Sequence, residues 1–309
     1  MAFLAVAGGL VMLVGGGESL VSGATKLARW LGMSPLIIGL TVVAFGTSVP
    51  ELFVSLTASL QGHPDIMIGN VVGSNIANIG LILGCSALLT PLVLRMQEVW
   101  IELLLVIAGS VFLMLSAAYG HFSRPVGLIF VITLVSYTFF TCRNSIRKNS
   151  KKNSDSDKKK SQPILFMVIL ILTGLLLLSG GSTLFIRGAV DIARFFGISE
   201  LVIGLTLAAI GTSLPELAAS MAALRRKESG LLIGNVIGSN MFNLFMVLGL
   251  TGLIKPFALS PNLLQRDLPV MLAFTLVLVP ILHRSHGTKR WHGLLFLGSY
   301  CLYCVSLLL

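Results

Sequence analysis

The stretch GLTVVAFGTSVPELFVSL at residues 39–56 returns at residues 204–221 as GLTLAAIGTSLPELAASM, and IGNVVGSNIANIGLILG at 68–84 returns at 233–249 as IGNVIGSNMFNLFMVLG. The two blocks, 39–84 and 204–249, align without a gap at a constant offset of 165, and 22 of their 46 positions are identical. Coincidence between two apolar helices would produce matching Leu, Val and Ile. Here the identities are mainly Gly, Thr, Ser, Pro, Glu and Asn, so the chain carries an internal duplication.

Around these blocks the chain is composed for lipid. Of its 309 residues 55% are hydrophobic and 11% charged, with a mean hydropathy of +0.93, against about 25% charged in ordinary soluble domains. Apolar runs of about 20 residues, enough to cross a ~30 Å hydrocarbon core as helix, recur from end to end. They predict ten transmembrane helices near 2–22, 34–61, 65–90, 99–119, 125–142, 163–187, 199–224, 230–254, 267–283 and 291–309. The first run lacks a basic leader region and a small-residue cleavage site, so it reads as a span rather than a removed signal.

The net charge of +10 does not imply nucleic acid, because eight of the 22 Lys and Arg residues sit between Arg143 and Lys160. Residues 143–162, rich in Ser, Asn and Lys, read as a solvated linker; contact with anionic headgroups is the alternative. With the N-terminus outside, the connections on the linker's side hold 17 Lys and Arg and the opposite side five. The positive-inside rule then makes the linker cytoplasmic and both termini extracytoplasmic. Cys85, Cys142, Cys301 and Cys304 show no metal-ligand spacing beyond one CxxC inside an apolar run, and read as packing residues.

The first block falls on predicted spans 2–3 and the second on spans 7–8, so five crossings separate equivalent positions. An odd number inverts the second copy. The expectation is an all-α polytopic membrane protein: two inverted five-helix repeats, 1–142 and 163–309, joined by the linker. Inverted repeats of this kind belong to secondary transporters, whose substrate site lies near the bilayer midplane.

Each block interrupts an apolar helix with GTSxPE. Pro50 has no N–H and its ring clashes one turn back, so the Gly46 carbonyl loses its helical partner and the helix breaks near Gly46–Ser48. Proline suits the first turn of the half-helix that resumes, which puts Glu51 near that half-helix's N-terminus, where the helix dipole favours an ionised carboxylate. Pro215 and Glu216 repeat the arrangement, so helices 2 and 7 are expected to be discontinuous. A charge at mid-membrane costs at least ~2.5–3.5 kcal/mol and generally lines a pathway. Glu51 and Glu216 alone among the twelve acidic residues lie deep in long apolar stretches, whereas Glu18 and Glu102, among others, fall near span ends. A packing role for two protonated carboxylic acids is the competing explanation.

Asn70, Ser74 and Asn78 recur every four residues, one helical face, as do Asn235, Ser239 and Asn243. Hydroxyl, amide and carbonyl oxygens around carboxylates suit hard cations such as Ca²⁺ or Na⁺ rather than zinc or copper. Interhelical hydrogen bonding is the other reading, with Gly69, Gly73, Gly234 and Gly238 permitting close approach. For Asn70, Asn75, Asn235 and Asn240 the two readings stand level.

The doubled GTSxPE and GSNxxN wording resembles the α-repeats of the cation/Ca²⁺ antiporter superfamily, most nearly its prokaryotic Na⁺/Ca²⁺ exchanger-like branch. The resemblance covers the whole ten-span plan. It implies Ca²⁺ exchange for Na⁺ by alternating access, with Glu51, Ala44, Thr47, Ser74 and Asn78, and Glu216, Ala209, Thr212, Ser239 and Asn243, as the ion ligands. Ala44 and Ala209 offer only carbonyls. K⁺-dependent relatives carry Asp where this chain has Asn243, which argues against K⁺ co-transport and leaves two formal charges for one Ca²⁺. Proton-coupled cation exchange is the alternative within the superfamily. No cofactor beyond the transported ions and no nucleic-acid partner are expected, and the chain is expected to be a monomer in a cell (inner) membrane.

Two other classes compete. An intramembrane enzyme would use a buried glutamate as general base, but all five histidines fall in loops or at span edges and no HExxH or GxSxG occurs. A cation channel commonly repeats its pore element around the membrane normal, whereas this repeat is inverted.

Overall fold

The computed structural model describes residues 1–150, 163–197, 209–260, 263–285 and 287–308. Residues 151–162 of the linker, and 199–208, which open the predicted seventh span and include the start of the second block, lie outside the described residues.

Among the described residues seven helices are long and apolar enough to cross a bilayer: Ala2–Leu31, Pro64–Leu89, Trp100–Ala118, Arg124–Ser145, Ile164–Phe195, Ser229–Ile254 and Leu263–Ser285. A pair bent by 41°, Pro35–Thr47 plus Val49–Leu60, makes an eighth. Ala209–Thr212 with Leu214–Arg225, and Arg290–Leu308, add helices at the predicted seventh and tenth spans. The protein is a mostly helical, multi-pass membrane protein.

Several helices overrun their apolar runs. The first continues to Leu31 and stops at Gly32, whose φ of 64° gives the left-handed cap that glycine adopts without a Cβ clash. The fifth continues from Cys142 through the basic start of the linker to Ser150. Arg and Lys are good helix formers, and neither Gly nor Pro occurs between 143 and 150. Glu102, expected near solvent, is buried in the first turn of the Trp100–Ala118 helix, where a helix N-terminus favours an acid.

By internal contacts the chain divides into two compact units, Met1–Thr47 with Ser136–Asn235, and Ser48–Val135 with Val236–Leu309. Each draws on both halves of the sequence. In the first unit the Ala2–Leu31 and Ile164–Phe195 helices run antiparallel along a glycine seam. A Cβ on Gly9 would lie 2.8 Å from the Gly181 carbonyl oxygen, on Gly16 2.9 Å from that of Gly174, and on Gly23 2.9 Å from that of Met167. Gly9, Gly16 and Gly23 recur every seven residues, as do Gly174, Gly181 and Gly188, again at an offset of 165. The duplication therefore extends to these helices, a signal that the sequence carries but that the frequency of glycine in membrane helices conceals.

In the second unit two short antiparallel ladders tie the connections together. Leu92 and Val93 pair with Thr288 and Gly287, and His121 and Phe122 with Ala258 and Phe257. Leu92 and Phe257 are equivalent by the same offset, so each half pairs its strand with the non-equivalent strand of the other. Phe122 stacks on Phe257 with ring centroids 5.1 Å apart and meets Phe130 edge-on at 5.4 Å.

Candidate functional site

The helix break forms where the proline requires it. A π-helical segment, Gly39–Val43, leads into Ala44–Thr47; Ser48, with φ −85° and ψ 0°, interrupts, and Val49–Leu60 resumes with Pro50 and Glu51 in its first turn. Ser213, with φ −87° and ψ 0°, does the same before Leu214–Arg225, which carries Pro215 and Glu216 in its first turn. The Leu52 N–H donates to the Ser48 carbonyl and the Leu217 N–H to that of Ser213, so both serines are N-caps by backbone. Glu51 is 0% and Glu216 1% exposed. Among the described residues the Ser48 and Ser213 hydroxyl oxygens are buried without a hydrogen-bond partner.

A duplicated clamp holds each half-helix. In the second unit Asn70 Nδ2 donates to the Glu51 carbonyl oxygen at 3.3 Å and to Ser55 Oγ at 2.9 Å. In the first, Asn235 Nδ2 donates to the Glu216 carbonyl oxygen at 3.4 Å and to Ser220 Oγ at 3.1 Å. All three residues of one clamp match the other at an offset of 165. For Asn70 and Asn235 these bonds give the amide nitrogens a positioning role. Asn235 Oδ1 also accepts from Thr47 Oγ1 at 3.2 Å, and the Gly39 backbone lies against Asn235, where a Cβ would come within 3.1 Å of its nitrogen.

The lower rungs of the ladder meet inside the second unit. Asn78 Nδ2 donates to Asn240 Oδ1 at 3.0 Å, and Asn243 Nδ2 to Asn75 Oδ1 at 3.5 Å. These are one bond written twice, with the halves exchanged. The nitrogens are thereby occupied, while Asn78 Oδ1 and Asn243 Oδ1 are buried without a hydrogen-bond partner among the described residues. At both asparagines the α-helix gives way to π-helix, Asn78–Leu83 and Asn243–Leu248, a local widening that recurs at functional sites. Nothing in the sequence marks the π turns beyond their position. Gly69 and Gly73, candidates for close helix approach, have open space where a Cβ would stand; Gly234 does abut Leu40 and Gly39.

The expected ligands therefore divide between the units. Glu216, Thr47, Thr212, Ala44 and Ala209 belong to the first, and Glu51, Ser74, Asn78, Ser239 and Asn243 to the second. Ala44, Thr47, Ser74, Ser239, Asn78 and Asn243 are buried, and Thr212 is half-buried. Among the described residues no three His, Cys, Asp or Glu side chains cluster as a metal site. Buried oxygen acceptors and carboxylates of this kind are the donor types that suit hard cations.

Residues 1–143 and 166–309 match the family described as sodium/calcium exchanger protein. The sodium/calcium exchanger MaX1 of Methanosarcina acetivorans is 33% identical over 345 aligned positions, covering 99% of this chain and 98% of MaX1. The inner membrane protein YrbG of Escherichia coli is 37% identical over 314, covering 97% and 94%. A solved structure of the sodium-calcium exchanger NCX_Mj soaked with zero Na⁺ and Ca²⁺ matches with a TM-score of 0.84 at 34% identity, covering 97% of each chain.

Proposed function

The chain belongs to the sodium/calcium exchanger protein family, and from that membership we propose that it is a secondary antiporter that moves Ca²⁺ against Na⁺ across a cell membrane by alternating access. Glu51 and Glu216 are the charged ligands of the transported ions. Thr47, Thr212, Ser74, Ser239, Asn78 and Asn243 supply neutral side-chain oxygens, and Ala44 and Ala209 supply carbonyls. The observation that carries this reading is the pair of buried amide oxygens at Asn78 and Asn243, each with its own nitrogen already engaged. A buried acceptor left without a donor costs about 1–3 kcal/mol, which a bound cation offsets.

Ten spans in two inverted repeats, 1–142 and 163–309, remain the preferred architecture. Antiparallel packing of the equivalent Ala2–Leu31 and Ile164–Phe195 helices supports inversion, since equivalent helices of an inverted pair cross the bilayer in opposite senses. The 143–162 linker then faces the cytoplasm, with both termini outside. Asn243 in place of an acidic residue makes exchange K⁺-independent, and the unit of transport is a monomer. No enzymatic step is involved.

The test is ion-replacement flux in proteoliposomes. An outward Na⁺ gradient should drive saturable ⁴⁵Ca uptake unaffected by K⁺. Uptake driven instead by a proton gradient would make this a proton-coupled exchanger, and flux without a counter-ion would make it a channel.

A further inference from the structure

The helices Leu263–Ser285 and Arg290–Leu308, both in the second unit, leave a groove of about 450 Å³ between them, lined by apolar side chains with few hydroxyls. Along the second helix it runs from Leu295 to Ser306. Eleven helical rises of 1.5 Å make this roughly 16 Å, the depth of one leaflet of a ~30 Å hydrocarbon core. A polar trio adjoins the groove through one of its lining residues. Tyr303, which lines it, donates its hydroxyl to Asp267 Oδ1 at 3.1 Å, and Arg266 Nε donates to the same oxygen at 2.9 Å. That bond takes one of a guanidinium's five N–H donors, and the Arg266 side chain is 49% exposed, against 16% for Asp267.

A leaflet-deep apolar slot with an exposed guanidinium bonded, through Asp267, to one of its lining residues has the chemistry of a phospholipid, chain along the slot and phosphate on the arginine, for which guanidinium geometry is well matched. We propose that this groove binds one acyl chain of a phospholipid whose phosphate oxygens accept from Arg266. The walls give the site a neighbour of consequence. Phe274 and Phe296 line the groove, and Cβ atoms built on Gly80 and Gly84 would come within 3.1 Å of Phe274 and 3.3 Å of Phe296. Those glycines lie within and just after the π turn that begins at Asn78. A bound chain thus fills in behind the side chains that abut the asparagine's helix. The binding itself does not depend on which ions the protein moves.

The test places the full chain in phosphatidylcholine nanodiscs containing a small fraction of phosphatidylglycerol with a diazirine midway along one acyl chain, followed by photolysis and peptide mapping. Labelling should concentrate on Val270, Ala273, Val277 and Ser299. It should fall severalfold in Arg266→Gln, and in Ala273→Phe, which fills the slot, provided each variant unfolds thermally like the parent. Ser299→Leu narrows the slot from the other wall and replaces Ala273→Phe if that variant does not fold. Excess oleate should leave the labelling unchanged. Labelling no denser in the groove than at exposed Leu172 and Leu176 would reduce the groove to ordinary annular lipid. Indifference to the substitutions, or displacement by oleate, would equally overturn the assignment.

Discussion

Asn78 donates its amide to Asn240 Oδ1 at 3.0 Å, and the duplicates of these two residues, Asn243 and Asn75, bond in the same sense at 3.5 Å. The arrangement separates two kinds of asparagine. Asn240 and Asn75 have their side-chain oxygens engaged as acceptors, and Asn75 also donates to Met271 Sδ at 3.6 Å, whereas Asn78 and Asn243 anchor through nitrogen and keep a buried oxygen. Asn78→Ala and Asn243→Ala should each cost about 1–3 kcal/mol of stability through the acceptor left behind, and should also weaken the apparent affinity for Ca²⁺. Asn240→Ala and Asn75→Ala should lose comparable stability with a much smaller change in affinity. Thermal unfolding beside Ca²⁺-dependent uptake distinguishes the two. Equal affinity losses in all four variants would contradict the assigned roles.

Glu51→Gln or Glu216→Gln should abolish Na⁺-gradient-driven ⁴⁵Ca uptake while the protein remains folded, because the amide keeps the carboxylate's shape without its charge. Glu18 provides the contrast. It pairs with Arg226 at 2.8 Å and Arg225 at 3.6 Å, with 30% of its side chain exposed. Partly exposed ion pairs contribute about 0–1 kcal/mol, so Glu18→Gln should transport nearly as the parent does. Near-normal uptake in either Glu51→Gln or Glu216→Gln would remove that residue from the ion site.

The clamps can be opened without touching the carboxylates. Asn70→Asp and Asn235→Asp retain an acceptor but lose the nitrogen that bonds the Glu51 or Glu216 carbonyl and the neighbouring serine. A loss of about 1–3 kcal/mol is expected for each, seen as a fall in apparent Ca²⁺ affinity of about fivefold or more. Ser55→Ala and Ser220→Ala, which remove one bond of the clamp, should fall between these variants and the parent. Titration of uptake against Ca²⁺ gives the order.

Helix approach along the seam makes a sharper prediction. A Cβ on Gly16 would meet the Gly174 carbonyl oxygen and the Leu178 nitrogen at 2.9 Å, whereas one on Gly15 meets nothing within 4 Å. Gly15→Ala should therefore be neutral or slightly stabilising, since alanine is the better helix former by about 1 kcal/mol. Gly16→Ala should push the helices apart and lower both unfolding temperature and transport rate. Similar behaviour of the two variants would show that the seam tolerates separation.

How far the sequence reaches depends on whether a residue's role is local. Pro50 and Pro215 break their helices wherever those helices go, and Glu51 and Glu216, deep in apolar runs, are buried whichever role they serve, so break and burial were both legible. The duplicated blocks disclosed their repeat in polar identities. Tertiary partnership was not legible: Asn78 meets Asn240 rather than a symmetry mate, and no pattern along either helix specifies that. The π turns were hidden too, because NIGLIL and NLFMVL have no composition that distinguishes π from α. Gly9, Gly16 and Gly23 stood at the offset of 165 in plain view, yet a seven-residue spacing of glycines acquires meaning only beside the matching Gly174, Gly181 and Gly188.

The crossed pairing of the short strands bears on how the protein is made. Leu92 finds its partner only when Thr288 exists. At about 5–20 residues per second of synthesis, the early part of the chain waits on the order of ten to forty seconds, already in the bilayer, for the residues that close it. His121 and Phe122 wait likewise for Ala258 and Phe257. Neither half can finish alone, so premature release of the chain leaves an unfinished product with open strand edges, the kind of species that cellular quality control must recognise and remove.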